Sequence, residues 1–129
     1  MERVGRTLDS GVVVFDVPES MALGYMAKAI PDEQGLTAAE SLVAEIKEHL
    51  ANGSRKFVLD LGRLNHIDSA GVGIIIGCRN MVVEADGKVR AVIPQERVHG
   101  VFDLHKIDLV LPLDRSLDAA LAAIGEDES

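Results

Sequence analysis

The chain has one cysteine, no tryptophan, one tyrosine and three phenylalanines among its 129 residues. A lone Cys78 excludes an internal disulfide framework and any CxxC metal or redox pair, and it fits a reducing cytosol. Long apolar runs are missing as well. The richest stretch, around Ile74, Ile75 and Ile76, is broken by Gly71, Gly73, Gly77 and Arg79, far short of the roughly 20 apolar residues of a membrane-spanning helix. No signal-like segment follows Met1, so the expected location is cytoplasmic, with no direct membrane insertion. Positive charge is scarce: 13 basic residues face 21 acidic ones, giving a formal net charge of −8. Such a field repels nucleic acid and anionic headgroups, so neither is expected as a partner. His49, His66, His99 and His105 lack metal-ligand spacing, and no metal or cofactor is expected. Met21, Met26 and Met81 read as gap-filling apolar residues rather than a cofactor box.

What the chain does have is 47% hydrophobic residues, enough for one ordinary core. The expected organisation is one domain over residues 1–125 and an acidic tail over 126–129. Gly11-Val12-Val13-Val14-Phe15-Asp16-Val17 is β-branched and stops at Pro18, as a strand would. A weaker strand is expected over 23–30, and 31–35 is turn-like. Thr37 stands three residues before Glu40, a capping-box spacing that opens a helix to about Leu50, with Leu42, Val43, Ile46 and Leu50 as its buried stripe and Asn52-Gly53 as its end.

Phe57-Val58-Leu59-Asp60-Leu61 is the near-continuous apolar run of a strand covered on both faces. Residues 70–85 read as a helix that stops at Asp86-Gly87, and 88–93 as a strand closed by Pro94. A helix follows over 95–106, weakened by Gly100. Residues 110–113 suit an edge strand because of Pro112, and Ser116 caps a last helix carrying Leu117, Ala120, Leu121 and Ile124. The order β-β-α-β-α-β-α-β-α predicts an α/β fold: a mixed, mainly parallel β-sheet covered by about four helices.

The most informative segment runs from Phe57 to Cys78 and places Asp68 and Ser69 where a helix begins. Either residue serves as an ordinary N-cap, worth about 1 kcal/mol. A hydroxyl at that point is also a candidate modification site, because a phosphate there meets the positive end of the helix dipole while changing the surface by about −1.5 to −2 charges. In the helix itself, if Val72, Ile75, Ile76, Val82 and Val83 turn toward the sheet, then Ile74, Cys78 and Met81 lie on another face, which Gly73 and Gly77 make shallow. That face is either covered within the chain or a surface for a partner. Each helical glycine costs about 1 kcal/mol, which asks for a compensating reason.

Phe57-Val58-Leu59-Asp60-Leu61, Ile67-Asp68-Ser69-Ala70-Gly71-Val72-Gly73, Lys88-Val89-Arg90-Ala91-Val92-Ile93 and Leu109-Val110-Leu111-Pro112-Leu113 together resemble a STAS domain. The resemblance spans about residues 55–124, and the stand-alone members best known are bacterial anti-sigma factor antagonists. It implies a non-enzymatic protein that binds an anti-sigma factor serine kinase, is phosphorylated by it on the serine after the aspartate, here Ser69, and is reset by a PP2C-type phosphatase. Joined to the helix face read above, it places the expected partner surface at Asp68, Ser69, Ala70, Gly71, Gly73, Ile74, Gly77, Cys78 and Met81. Two features depart from the family pattern. Ala70 stands where many members carry Ser or Thr, leaving Ser69 as the sole hydroxyl of the motif, and the 16–36 connection is long.

Rival motifs are incomplete. A dinucleotide loop would need glycine at Ile76, and a hydrolase elbow would need glycine at Ile67. A two-component receiver phosphorylated at Asp60 would sit correctly at the end of a central strand. It would also need an acidic pair after the first strand, where only Asp16 and Glu19 stand, and a lysine within 109–113, which has none. A STAS module of a stress-signalling or lipid-transport complex keeps the fold and changes the task.

Overall fold

The structure is a computed structural model and describes residues 5–17, 20–21, 38–64, 66–67 and 69–126; the side chains of residues 20, 21, 38, 39, 66, 69 and 126 are outside that description. Strands β1 (Gly5–Thr7), β2 (Val13–Asp16) and β3 (Ser20–Met21) precede helix α1 (Ala38–Ala51). Then come β4 (Lys56–Asp60), β5 (His66–Ile67), α2 (Ser69–Glu84), β6 (Lys88–Val92) and α3 (Glu96–Leu104). A 3-10 turn (Ile107–Leu109), β7 (Leu113–Asp114) and α4 (Leu117–Glu126) complete the order.

Five strands form one sheet in the order β1-β2-β4-β6-β7. The β2-β4, β4-β6 and β6-β7 pairs are parallel, and β1 adds an antiparallel edge. This is the mixed, mainly parallel sheet expected. β4 is central, and its side chains alternate: Phe57 and Leu59 enter a core shared with α1, α2 and α3, while Val58 enters a second core beneath α4. β2 does the same, with Val13 and Phe15 on the first side and Val14 on the other, joined there by Val12 just before the strand. Phe57, Val58 and Leu59 are all fully buried, which stabilises by about 1.5–3 kcal/mol per side chain and explains why the run shows no polar alternation.

α1 buries Leu42 and Ile46 as its stripe predicts. Its end is closed where Gly53 adopts a left-handed φ of 97° and the Ser54 N–H returns to the His49 carbonyl at 3.0 Å, a turn glycine favours because it lacks Cβ. Glu45, almost buried, accepts the Gly5 N–H at 3.1 Å and so ties α1 to the edge strand. Ser116 caps α4 as expected, its Oγ accepting the Ala119 N–H at 3.1 Å.

Several boundaries depart from the sequence reading. β1 has only three residues and little apolar character, so periodicity could not reveal it. Residues 110–112 are not strand: Lys106 takes a left-handed φ of 57°, the 3-10 turn follows, and pairing with β6 begins only at Leu113. The helix expected over 95–106 is Glu96–Leu104. A small parallel pair, β3 with β5, was not anticipated. The strand expected over 23–30, the turn at 31–35, Thr37 of the capping box, Met26 and residues 127–129 lie outside the described residues.

Candidate functional site

β2, β4 and β6 all deliver the chain to one edge of the sheet. The ladder continues there through Val17 N–H to Asp60 O (3.0 Å), Leu61 N–H to Val92 O (2.9 Å) and Ile93 N–H to Asp114 O (2.8 Å). From β4 the chain turns at once: the Asp60 carboxylate accepts the Gly62 N–H at 2.8 Å, and the Leu64 N–H returns to the Leu61 carbonyl at 3.0 Å. Asp60 is thereby accounted for as a turn former. β5 follows, pairs with β3, and leads directly into α2.

The loop is held from outside by Gln95. Its Nε2 donates to the carbonyls of Leu61 (2.9 Å), Gly62 (3.1 Å) and Leu64 (2.7 Å). Gln95 occupies the N-cap position of α3 with an extended backbone, yet its side chain caps nothing there. It reaches across to the other loop instead, and its Oε1 is buried without a hydrogen-bond partner. Leaving that acceptor unpaired costs about 1–3 kcal/mol, a cost offset by the carbonyls the amide satisfies. Sequence reasoning missed this residue, because a glutamine that opens a helix carries no sign that its amide serves a loop some thirty residues earlier.

Ser69 is the first residue of α2, and the first turn of that helix contains no acidic residue. The start of such a helix is the positive end of its dipole, about half an elementary charge. Asp68 and the surroundings of the Ser69 side chain lie outside the described residues.

Along α2 the buried residues are Gly71, Val72, Ile75, Cys78 and Val82, which from Val72 onward recur every three or four positions and so share one face. The structure corrects the expected division of faces. Cys78, expected at the partner surface, is wholly buried in the main core, and burial pushes its thiol up to about 12, so it is a neutral packing group. Val83, expected against the sheet, is 42% exposed. Ile74 and Met81 are half-buried and pack against the core's margin. The physical reason is the phase of the helix: centring the buried arc on Ile75, Cys78 and Val82 turns Val83 outward and leaves Ile74 and Met81 on one flank.

The outward face is occupied by Ala70, Gly73, Gly77 and Asn80, all exposed. A Cβ added at Gly73 or Gly77 would meet nothing within 4 Å. Close packing within the described chain is therefore not what these glycines provide. Of the expected surface, the structure groups Ala70, Gly73, Ile74, Gly77 and Met81 on the outer part of α2; Gly71 and Cys78 turn inward.

Among the described residues no group of three His, Cys, Asp or Glu side chains could hold a metal ion. No helix among them is long and apolar enough to cross a membrane.

A STAS domain profile matches residues 36–120. The candidate anti-sigma factor antagonist BtrV of Bordetella bronchiseptica is 33% identical over 85 residues, covering 66% of this chain and 73% of BtrV. Among solved structures, a candidate anti-sigma factor antagonist from Thermotoga maritima superposes with a TM-score of 0.70 at 21% identity, covering 93% of this chain and 92% of that one. The Bacillus cell fate determinant SpoIIAA in its phosphorylated form gives a TM-score of 0.65 at 17% identity, covering 93% and 96%. Fold, profile and relative agree: the chain belongs to the STAS family, within its anti-sigma factor antagonists, which are regulators rather than enzymes.

Proposed function

We propose that this chain binds an anti-sigma factor serine kinase through the start and outer face of α2, and that phosphorylation of Ser69 by that kinase ends the complex. A PP2C-type phosphatase restores the binding form. The observation that carries the reading is the outward stripe Ala70, Gly73 and Gly77, which continues from Ser69 with open space around both glycines. Two glycines in a helix cost about 1 kcal/mol each, and a close-fitting partner is what would offset that cost. The solved phosphorylated form of SpoIIAA, a protein of the same fold, adds support.

The energetics suffice without a change of fold. Reversing occupancy almost completely takes about 5.5 kcal/mol. A phosphate of about −1.5 to −2 charges, desolvated against an apolar contact, costs several kcal/mol. The hydroxyl at the helix start takes up the phosphate without unfolding α2, since the first-turn N–H groups favour an anion.

Titration of the anti-sigma factor kinase with Ser69→Ala and Ser69→Asp tests the reading. Ser69→Ala keeps the affinity and accepts no phosphate, while Ser69→Asp binds about a hundredfold more weakly. Equal affinities for the two variants would dismiss the switch.

A further inference from the structure

The other end of α2 carries a second surface. β6 offers its N–H groups to alternate sides: Lys88 donates to the Arg55 carbonyl at 2.7 Å on the β4 side, and Ala91 donates to the Pro112 carbonyl at 3.0 Å on the β7 side. Val89 therefore faces the β7 side. The ladder with β7 begins only at Ala91, opposite Leu113. Proline at 112 and the 3-10 turn at Ile107–Leu109 lead the chain away from the first half of β6. The result is a cleft of about 210 Å³ whose walls include Arg79 and Val83 of α2, Lys88, Val89 and Arg90 of β6, and Val110.

Three properties of this cleft point to one kind of occupant. It is apolar and uncovered: the large exposed hydrophobic residues among the described ones are Val83, Leu104, Leu109 and Val110, of which Val83 and Val110 stand on its walls. It carries positive charge, with Arg79 and Lys88 and no acidic residue on its lining, while the charge of Arg90 is met by Asp114 behind it, in a chain of net charge −8. Its walls are fixed, since Arg79 Nε donates to the Val110 carbonyl at 3.1 Å, and Arg90 grips Asp114 through two bonds of 2.7 and 3.2 Å. An open strand edge beside an apolar wall is the arrangement that accepts an added strand, and the charge selects an acidic one.

We propose that this cleft docks an extended segment of a partner protein in which aliphatic and acidic residues alternate, the backbone pairing at Val89 and an aliphatic side chain filling the space between Val83 and Val110. Ser69 and Val83 are fourteen residues apart on one helix, about 21 Å at 1.5 Å per residue. The surface is thus separate from the phosphorylation switch and open in either state of Ser69.

The test is a titration of the ¹⁵N-labelled full chain with a short synthetic peptide alternating valine and glutamate, against a control alternating valine and lysine. The expected result is saturable shifts centred on Val83, Val89 and Val110 with the acidic peptide alone, slowed exchange of the Val89 amide, affinity about tenfold lower in Lys88→Glu, and unchanged affinity in Ser69→Asp. Val83→Ser, at an exposed position, weakens binding through the apolar wall and serves as a second variant. No shifts at millimolar peptide, an equal response to the lysine peptide, or unchanged affinity in both cleft variants would overturn the proposal. So would the same shifts appearing on concentrating the protein alone, which would make the occupant a second copy.

Discussion

The two ends of α2 are built by different means. Where the helix starts, the incoming loop is clasped by a side chain: Gln95 reaches over from α3 and holds the carbonyls of Leu61, Gly62 and Leu64. Where it ends, backbone lies against backbone. Asp86 takes the left-handed position, φ 64°, and a Cβ on Gly87 would stand 2.7 Å from the Arg55 carbonyl oxygen and 3.0 Å from that of Val82. A side-chain clasp is local, so it can be loosened without unfolding the sheet, whereas the steric closure belongs to the core. In this account the adjustable end carries the switch and the rigid end carries the walls of the basic cleft.

That contrast can be broken most forcefully at the rigid end. Gly87→Ala forces backbone to move and costs about 2–3 kcal/mol by overpacking, read as a lowered denaturant midpoint, while the rate of Ser69 phosphorylation in the folded fraction stays the same. A variant as stable as the parent would show that the closure is loose.

A smaller loss of about 1–2 kcal/mol is expected for Gln95→Leu, which leaves part-buried carbonyls without their donor. Here phosphorylation of Ser69 slows more than the stability change explains, and Gln95→Asn, too short to span the loop, does not restore it. If both rates match the parent, the clasp has no part in presenting the serine.

Between the two ends, Gly77→Ala sharpens the comparison because its sign is opposite. The site has open space and no left-handed backbone, so alanine stabilises by about 0.5–1 kcal/mol, while Gly77→Leu blocks docking of the kinase without unfolding the chain. A destabilised Gly77→Ala would mean the glycine is needed inside the fold.

At neutral pH the smallest effect belongs to Cys78. Its thiol is raised by burial to about 12 from an ordinary 9.0. Above about pH 9 the unfolded chain releases this proton and the folded chain keeps it, so stability is unaffected below that pH and falls as pH rises through the window between the two values. Denaturation midpoints at rising alkaline pH check this, with Cys78→Ala removing the added slope; slow alkylation of the native thiol is the companion readout.

The sheet and its helices were legible because burial leaves a mark on residue type. Phe57, Val58 and Leu59 announce a strand covered on both sides, and Leu42 with Ile46 announces an amphipathic helix. The family was legible as well, through a resemblance carried in part by Ile67 to Gly73. What stayed hidden depends on tertiary neighbours. β1 is too short and polar to show a period, the 110–112 segment has strand-like residues but is led off by a left-handed Lys106, and the Gln95 clasp depends on a contact distant in sequence. The phase of α2 was misjudged by part of a turn, since three successive isoleucines mark no single face; that error put Cys78 outside and Val83 inside.

The most direct measurement is site mapping by mass spectrometry after incubation of the folded full chain with its anti-sigma factor kinase and MgATP. The account predicts one phosphate, carried on Ser69, with loss of kinase binding in the modified fraction. A phosphate on any other residue, or a Ser69-phosphorylated chain that still binds the kinase as tightly as before, would contradict it.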